Sequence, residues 1–189
     1  MTISRRKVLA ASSALLLSSF KPTVAAVLNE DGMYSEPWFL NTMLELSDDL
    51  GDAASNGKRF AILWELRGCP YCKEMHLVNL ADAKVASYIE ANFSILQLNI
   101  IGSRIVTDFD GAKLSEKQFA QKYNVRFTPT IQFFPEIAAD LSSKDPGQRE
   151  VARMPGYVKG EHFLAMFRFV RDKAYERENF RSYVNNQAR

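Results

Sequence analysis

The only two cysteines of the 189-residue chain lie three positions apart. Cys69 and Cys72 flank Pro70 and Tyr71, just after an apolar run and just ahead of a stretch of strong helix formers. A structural disulfide gains most when it closes a long loop, whereas this pair encloses almost nothing. The spacing therefore predicts a junction between a buried strand and a helix, with both sulfurs at the start of the helix.

The residues around the cysteines predict alternating strands and helices. The apolar run at 59–66 favours a buried strand, and Pro70 suits the first turn of a helix that we expect over 70–80. A second helix is predicted at 83–92, followed by a strand at 93–100. Strands that alternate with helices are typical of βαβ units with parallel pairing.

The C-terminal half predicts the rest of the same sheet. Ser115 and Gln118 have the spacing of a capping box at the start of a helix. Strands are expected at 128–134 and 149–154, and a long closing helix at 159–178. The last two strands are close enough in sequence to pair antiparallel. The expected fold class is therefore α/β, with a mixed central β-sheet and helices on both faces.

The first 26 residues differ from the rest and are typical of a cleaved signal peptide. A basic start at 4–7 precedes an uncharged run at 8–20 and small residues at 24–26. This 13-residue run is too short for a stable membrane anchor, since a spanning helix needs about 20 apolar residues. Arg5-Arg6 favours twin-arginine export over the general route, although Val8 stands where that motif usually has phenylalanine.

Removal of the signal changes the charge of the chain. Residues 1–26 carry four basic and no acidic residues, which leaves 20 basic against 22 acidic ones, a net charge of −2. Without a basic patch, nucleic acid is not an expected partner. The mature chain, 27–189, is expected to be one domain with a helical extension over 36–54 and a C-terminal helix. We expect it in the periplasm, where disulfides form and persist.

The spacing of the cysteines suits a bond that forms and breaks repeatedly. Only a thiolate is nucleophilic, and the start of a helix stabilises a thiolate on Cys69 through unpaired N–H groups and the helix dipole. Cys72 lies one turn deeper on the same face, from which its sulfur can reach Cys69. We therefore expect Cys69 to attack a substrate disulfide and Cys72 to resolve the mixed disulfide.

The two cysteines allow two other interpretations. Both could be small buried hydrophobic residues. Alternatively, Cys69, Cys72 and His76 fall on one helical face and could bind a metal, but a closed zinc site needs four ligands and His162 is the only other histidine. We favour the redox interpretation and expect no metal. His76 is interpreted as a polar helix residue or a modulator of Cys72.

A Cys-x-x-Cys pair near a βαβ pattern is typical of thioredoxin-like proteins. Three segments, "AILWELRGCPYCKEM", "YNVRFTPTIQFF" and "RMPGYVKGEHFLAMF", occur in the order and spacing of exported members. Over residues 40–170 the sequence most resembles the SoxW-type thioredoxins of bacterial sulfur oxidation. Cys-Pro-Tyr-Cys alone is a weak signal, because glutaredoxins and some Dsb proteins share it.

The resemblance implies a thioredoxin fold in which Pro129 is cis and faces the cysteines. It further implies that Thr128 offers its backbone to a bound substrate as an added strand. Pro70 and Tyr71, between the cysteines, would line the same substrate-binding surface. The alternative for Pro129 is an ordinary trans proline at the start of a strand.

The same resemblance implies a periplasmic thiol:disulfide oxidoreductase that reduces sulfur-oxidation (Sox) proteins. Its electrons would come from a membrane protein of the CcdA/SoxV type, and no bound cofactor is needed because the cysteine pair carries them. The enzymatic alternative is a Dsb-like oxidase or isomerase. The non-enzymatic alternative is a thiol-based metallochaperone.

The sequence also departs from cytosolic thioredoxins. Gly68 replaces the usual tryptophan, Leu63 stands where a buried aspartate is expected, and 99–113 resembles an extra loop. Glu65 lies two residues after Leu63 on the same strand face. We expect Glu65 to be either a solvated strand end or a proton relay that accepts the proton of Cys72.

Overall fold

Four of eight strands form the central sheet of the computed structural model, which describes residues 26–187. In chain order the strands are β1 (Val27–Leu28), β2 (Tyr34–Ser35), β3 (Arg59–Glu65), β4 (Phe93–Asn99), β5 (Ile105–Thr107), β6 (Lys113–Ser115), β7 (Thr130–Phe133) and β8 (Ala152–Pro155). The central order is β4–β3–β7–β8, with β3 parallel to β4 and the other two pairs antiparallel. The predicted mixed sheet is confirmed.

Helices cover both faces of this sheet, as predicted. They are α1 (Leu46–Ser55), α2 (Pro70–Glu74), α3 (Ala83–Asn92), α4 (Glu116–Lys122), α5 (Gly160–Arg171) and α6 (Phe180–Gln187). Phe60, Ile62 and Trp64 of β3 pack with α1 and α4 in one apolar cluster. Ala61 and Leu63 pack with α3 and α5 in a second cluster on the other face. Because both faces of β3 are buried, its sequence is a continuous apolar run rather than an alternating one.

Side-chain caps fix where two of the helices begin. The Ser115 hydroxyl accepts the Gln118 N–H, and the Gln118 side chain accepts the Ser115 N–H, so the predicted capping box is confirmed. A carboxylate oxygen of Asp82 accepts the N–H groups of Lys84 and Val85 at the start of α3. Such caps satisfy donors that have no partner inside the helix.

The predicted helix over 36–54 is wrong in its first half, because α1 begins only at Leu46. The preceding segment makes turns and bends instead, and it bridges to β4 at Leu40, whose N–H donates to the Ile95 carbonyl at 2.8 Å. Leu44, at a φ of 60°, turns the chain just before α1. The segment thus covers the exposed edge of β4. Its apolar side chains serve this cover, although their spacing resembles that of a helix.

Two further predicted elements are shorter or different. Residues 99–113 are not only loop, since β5 within them forms an antiparallel hairpin with β6. The predicted closing helix over 159–178 stops at Arg171, and Lys173 then has a φ of 51°. This break lets α6 fold back, where Phe180 and Tyr183 pack on Phe169 with ring centroids 5.5 and 5.3 Å apart.

The helix after the cysteines changes its winding. It is α-helical over α2 and continues as a π-helical turn over Met75–Asn79. The Leu80 N–H donates to the Met75 carbonyl at 2.9 Å, which is the five-residue spacing of that turn. His76 and Asn79 are both buried as a result, at 1% and 3% exposure. The prediction of a single α-helix over 70–80 is therefore wrong in its second half, which is π-helical.

Between residues 26 and 187, no helix is both long and apolar enough to span a membrane. The predicted signal peptide lies outside the described residues, except for Ala26.

Candidate active site

Cys69 and Cys72 form a disulfide at the start of α2, with their Cα atoms 5.2 Å apart. Cys69 is the N-cap residue, and the Cys72 N–H donates to its sulfur at 3.1 Å. Cys69 is half-buried, whereas Cys72 is only 5% exposed. An approaching substrate can therefore reach Cys69 and not Cys72. The backbone N–H that faces the Cys69 sulfur would stabilise a thiolate there after reduction.

Gly68 makes the turn that brings Cys69 to the start of α2. Its φ is +74°, in the left-handed region that side chains other than glycine rarely adopt. The Cys69 N–H then donates to the Leu66 carbonyl and closes the turn. This conformation explains why a glycine stands where the resemblance leads one to expect tryptophan.

The Thr128–Pro129 peptide bond is cis and faces the disulfide, as the resemblance implies. The Thr128 hydroxyl donates to the Cys69 sulfur at 3.4 Å, and the Thr128 carbonyl oxygen lies 3.5 Å from the same sulfur. The Gly156 N–H donates to the Pro129 carbonyl at 2.7 Å. The predicted strand consequently begins at Thr130, and the trans alternative for Pro129 is wrong.

The surface around Cys69 is apolar and open. Pro70 is exposed, and Tyr71 is 58% exposed with its ring stacked on that of Tyr157 at 6.2 Å. Phe127, which the sequence did not single out, is 66% exposed directly ahead of Thr128. The structure thus brings together Cys69, Cys72 and the four predicted substrate-binding residues, whose contact with substrate stays a prediction.

Glu65 is 1% exposed, so a solvated strand end is the wrong interpretation. It occupies the last position of β3, where it pairs with Asn99 of β4 and faces the interior. Its carboxylate accepts hydrogen bonds from His76 and from the Gln97 side chain. Among residues 26–187 it makes no hydrogen bond to either cysteine. A role as a proton relay stays a prediction and requires an intermediary.

His76 is buried between two carboxylates. Its Nδ1 lies 2.9 Å from Glu36, and its Nε2 lies 3.1 Å from both oxygens of Glu65. Burial alone would lower the pKa of His76, but hydrogen bonds to Glu36 and Glu65 and their negative charges raise it to about 9. At neutral pH His76 is therefore a cation that donates from both ring nitrogens.

This arrangement bears on the metal alternative. Both nitrogens of His76 face carboxylates rather than the two cysteines. In the described part of the chain, no group of three or more histidine, cysteine and acidic side chains is arranged to hold a metal ion.

Sequence reasoning noticed His76 and Glu65 separately and missed Glu36 and Gln97. Glu36 is 40 positions from His76 and 29 from Glu65, within a segment predicted to be helical. The local sequence signals of this cluster were limited to Glu65, a charge inside an apolar strand, and His76, a histidine four residues after Cys72.

Residues 46–171 match the family described as thioredoxin-like domain, which spans well over half of the sequence. The chain belongs to this family. The match includes the cysteine pair, the cis-proline loop and all four strands of the thioredoxin-like sheet. The sequence has no significant match among curated proteins.

Three solved structures are similar to this chain. A thioredoxin-fold protein from Helicobacter pylori is 24% identical, has a TM-score of 0.55, and aligns over 70% of this chain and 86% of that chain. A thioredoxin from Thermus thermophilus is also 24% identical, with a TM-score of 0.48 and coverage of 67% and 83%. The DsbH oxidoreductase is 13% identical, with a TM-score of 0.47 and coverage of 85% and 95%. The family match and the first similarity confirm the predicted thioredoxin fold.

Proposed function

We propose that this thioredoxin-like protein is an exported reductase of protein disulfides that works through Cys69 and Cys72. One observation carries the proposal: a disulfide at the start of α2, in which the half-buried Cys69 lies beside the cis Thr128–Pro129 bond. A structural staple would not need an accessible sulfur next to an open apolar surface.

The reaction balances with the residues present. The Cys69 thiolate attacks one sulfur of a substrate disulfide, forms a mixed disulfide and releases the other substrate sulfur as a thiolate. Cys72 then loses its proton and attacks the Cys69 sulfur. This step forms the Cys69–Cys72 bond and releases the second substrate thiolate. Two electrons pass to the substrate, whose two thiolates take up protons, and no cofactor takes part.

The backbone of Thr128, just before the cis-proline, suits an extended substrate. The Thr128 carbonyl lies near Cys69, so a peptide that pairs with this backbone would hold its disulfide against that sulfur. The exposed rings of Tyr71 and Phe127 flank this position and favour apolar residues beside the substrate cysteine.

Charges near the pair favour a reductase over an oxidase. Arg67 and Lys73 are opposed by Glu65 and Glu74, so no strong cationic field stabilises the Cys69 thiolate. A thiolate stabilised less than that of a Dsb-type oxidase gives a lower reduction potential. The two classes lie near −120 and −270 mV, a difference of about 7 kcal/mol for two electrons.

A redox titration tests this assignment. With dithiothreitol as the electron source, the protein is expected to reduce insulin, and glutathione buffers should place its potential below about −200 mV. A variant with serine at both Cys69 and Cys72 is the matched control and should leave insulin intact. A potential near −120 mV would favour the alternative, a Dsb-like oxidase or isomerase that shares the Cys-Pro-Tyr-Cys motif.

The proposed location follows from residues 1–26. Fractionation of expressing cells should yield a protein in the periplasm that is shorter by about 26 residues. Replacing Arg5 and Arg6 with lysine should retain the precursor in the cytoplasm if export uses the twin-arginine route. An uncleaved cytoplasmic product of the natural sequence would contradict export.

Substrates and electron donor are proposed from the resemblance to SoxW-type thioredoxins. The substrates would be disulfide-containing proteins of sulfur oxidation. A membrane protein of the CcdA/SoxV type would return the Cys69–Cys72 disulfide to the dithiol by supplying a dithiol of its own. The half-buried Cys69 sulfur supports such an exchange, because it is accessible to a partner thiol.

A further inference from the structure

The buried cluster of Glu36, His76 and Glu65 brings three charges together inside the protein. The exposed fractions of Glu36 and Glu65 are 5% and 1%, and that of His76 is 1%. The imidazolium of His76 donates to both carboxylates, so the cluster carries one positive and two negative charges. Its net charge of about −1 is held in a dry site, where charges act over longer distances than at the surface.

The cluster shares a helical stretch with the resolving cysteine. Cys72 and His76 are four residues apart on one helical stretch that runs from α2 into the π-helical turn, and both are buried. Side chains at this spacing share a helix face, with Cβ atoms roughly 5–6 Å apart. The charge of the cluster therefore acts on the sulfur that must lose its proton in the second exchange step.

Glu36 comes from outside the part that matches the family, 46–171. The segment that carries it is fixed to the redox region by two backbone acceptors. The Arg67 Nε–H donates to the Asp31 carbonyl, and the Gln97 side chain donates to the Tyr34 carbonyl, both at 2.6 Å. The N-terminal segment thus adds a second carboxylate to a pair, His76 and Glu65, that the family domain already contains.

Among residues 26–187, His76 forms ion pairs with Glu36 and Glu65 alone. The ring of Tyr34 lies 6.2 Å away and that of Phe39 lies 5.9 Å away, measured between centroids. Gln97 of β4 is neutral and donates to Glu65. The groups that face His76 are therefore two carboxylates, a tyrosine, a phenylalanine and a neutral amide.

We propose that Glu36 and His76 are positioning residues of the redox centre, which set the net charge buried near Cys72 and keep the cysteine pair reducing. This inference rests on the proposed thiol:disulfide exchange. A negative charge disfavours thiolates and so destabilises the reduced pair relative to the disulfide. The two residues carry opposite charges, and their neutralisation must shift the reduction potential in opposite directions.

The test compares three variants in glutathione buffers at pH 6.5, far enough below the His76 pKa of about 9 that the imidazolium persists when Glu36 is neutralised. Glu36→Gln removes a negative charge and is expected to favour the reduced form about tenfold, which is roughly 30 mV toward higher potential. His76→Gln removes the positive charge and is expected to shift the equilibrium about as far toward the disulfide. Glu30→Gln is the matched control, because Glu30 is an exposed carboxylate of the same segment and its loss should change the equilibrium less than about twofold.

A purely structural cluster gives a different result. Both substitutions would then lower the melting temperature and leave the potential unchanged, or shift it in one direction, and that outcome would overturn the inference. Glu36→Gln keeps a hydrogen-bonding side chain and is the variant expected to fold. Even if His76→Gln does not fold, the reduction potentials of Glu36→Gln and Glu30→Gln therefore test the inference. If the wild-type protein itself fails to exchange with glutathione, the proposed function fails instead.

The pH dependence of stability gives a second readout. Because the folded-state pKa of His76 is raised from 6.5 to about 9, its contribution to stability is fully present below pH 6.5. The contribution is lost as the pH rises through about 9. Glu36→Gln should lower the pH at which the stabilisation by His76 is lost, whereas Glu30→Gln should leave that pH unchanged. If this pH is unchanged in Glu36→Gln, the contact between Glu36 and His76, on which the inference depends, is contradicted.

Discussion

Replacing Cys69 with serine is expected to reduce insulin reduction to the uncatalysed background rate. Cys69 is half-buried, more accessible than Cys72, and lies beside Thr128, and a serine hydroxyl cannot form a mixed disulfide. The buried Cys72, at 5% exposure, cannot take over the attack on a protein substrate. The measurement is the rate of insulin precipitation with dithiothreitol, compared with the wild type at equal concentration.

Replacing Cys72 with serine gives a different defect and serves as the paired variant. Cys69 can still attack, but nothing resolves the mixed disulfide, so covalent complexes should accumulate and disappear on reduction. Identification of the trapped protein would also test the proposed Sox substrates. Trapping by Cys69→Ser instead of Cys72→Ser would reverse the two roles.

Alkylation of the reduced wild-type protein checks the same assignment without a substitution. At pH 6–7, roughly two units below the pKa of an ordinary thiol, only a stabilised thiolate reacts quickly. Cys69 should react first, because it is more exposed than Cys72 and because the backbone N–H of Cys72 donates to its sulfur. Preferential labelling of Cys72 would contradict the proposed order of attack.

Much of the fold followed from sequence because its signals are local. The buried strand β3 is one continuous apolar run, and a side-chain cap marks the start of α4. The cysteine site was local as well, since Gly68, Cys69 and Pro70 define the start of α2 within three residues.

The errors arose where distant contacts decide the structure. The apolar residues at 38–40 suit a helix by spacing, but the edge of β4 needs covering and Leu40 pairs there instead. The break at Lys173 carries no glycine or proline, and it is favoured by the packing of α6 on Phe169. The partnership of Glu36 with His76 depends on where the N-terminal segment lies against the sheet, which no local pattern reports.

A second buried ionic cluster, around Arg149, joins the chain that precedes β8 to the loop between β5 and β6. One guanidinium nitrogen donates to Asp108 at 2.8 Å and to the Tyr123 hydroxyl at 3.0 Å, and another donates to Asp110 at 2.9 Å. The side chains of Arg149 and Asp108 are 3% and 0% exposed. Burial would raise the pKa of Asp110, but hydrogen bonds from Lys122 and Arg149 hold it well below its ordinary value.

Replacing Arg149 with methionine is expected to lower the free energy of unfolding by about 3–5 kcal/mol, as when one partner of a buried ion pair is removed. Methionine fills part of the space but leaves Asp108 buried with only Lys122 as a cationic partner. The loss is measured by urea unfolding at neutral pH. Arg126→Met is the matched control, because Arg126 is exposed and bonds only exposed Asn124, and it should change stability by less than about 0.5 kcal/mol.

The double variant Arg149→Met with Asp108→Asn separates the two parts of this effect. If the loss comes from a buried carboxylate that has lost one of its two cationic partners, neutralising Asp108 should make the double variant more stable than the sum of the single losses predicts. Additive losses would show that Arg149 acts through packing and its other hydrogen bonds. Insulin reduction by the folded fraction should be unchanged in these variants, because Tyr123, which contacts Arg149, packs in the apolar cluster on the opposite face of the sheet from Ala61 and Leu63.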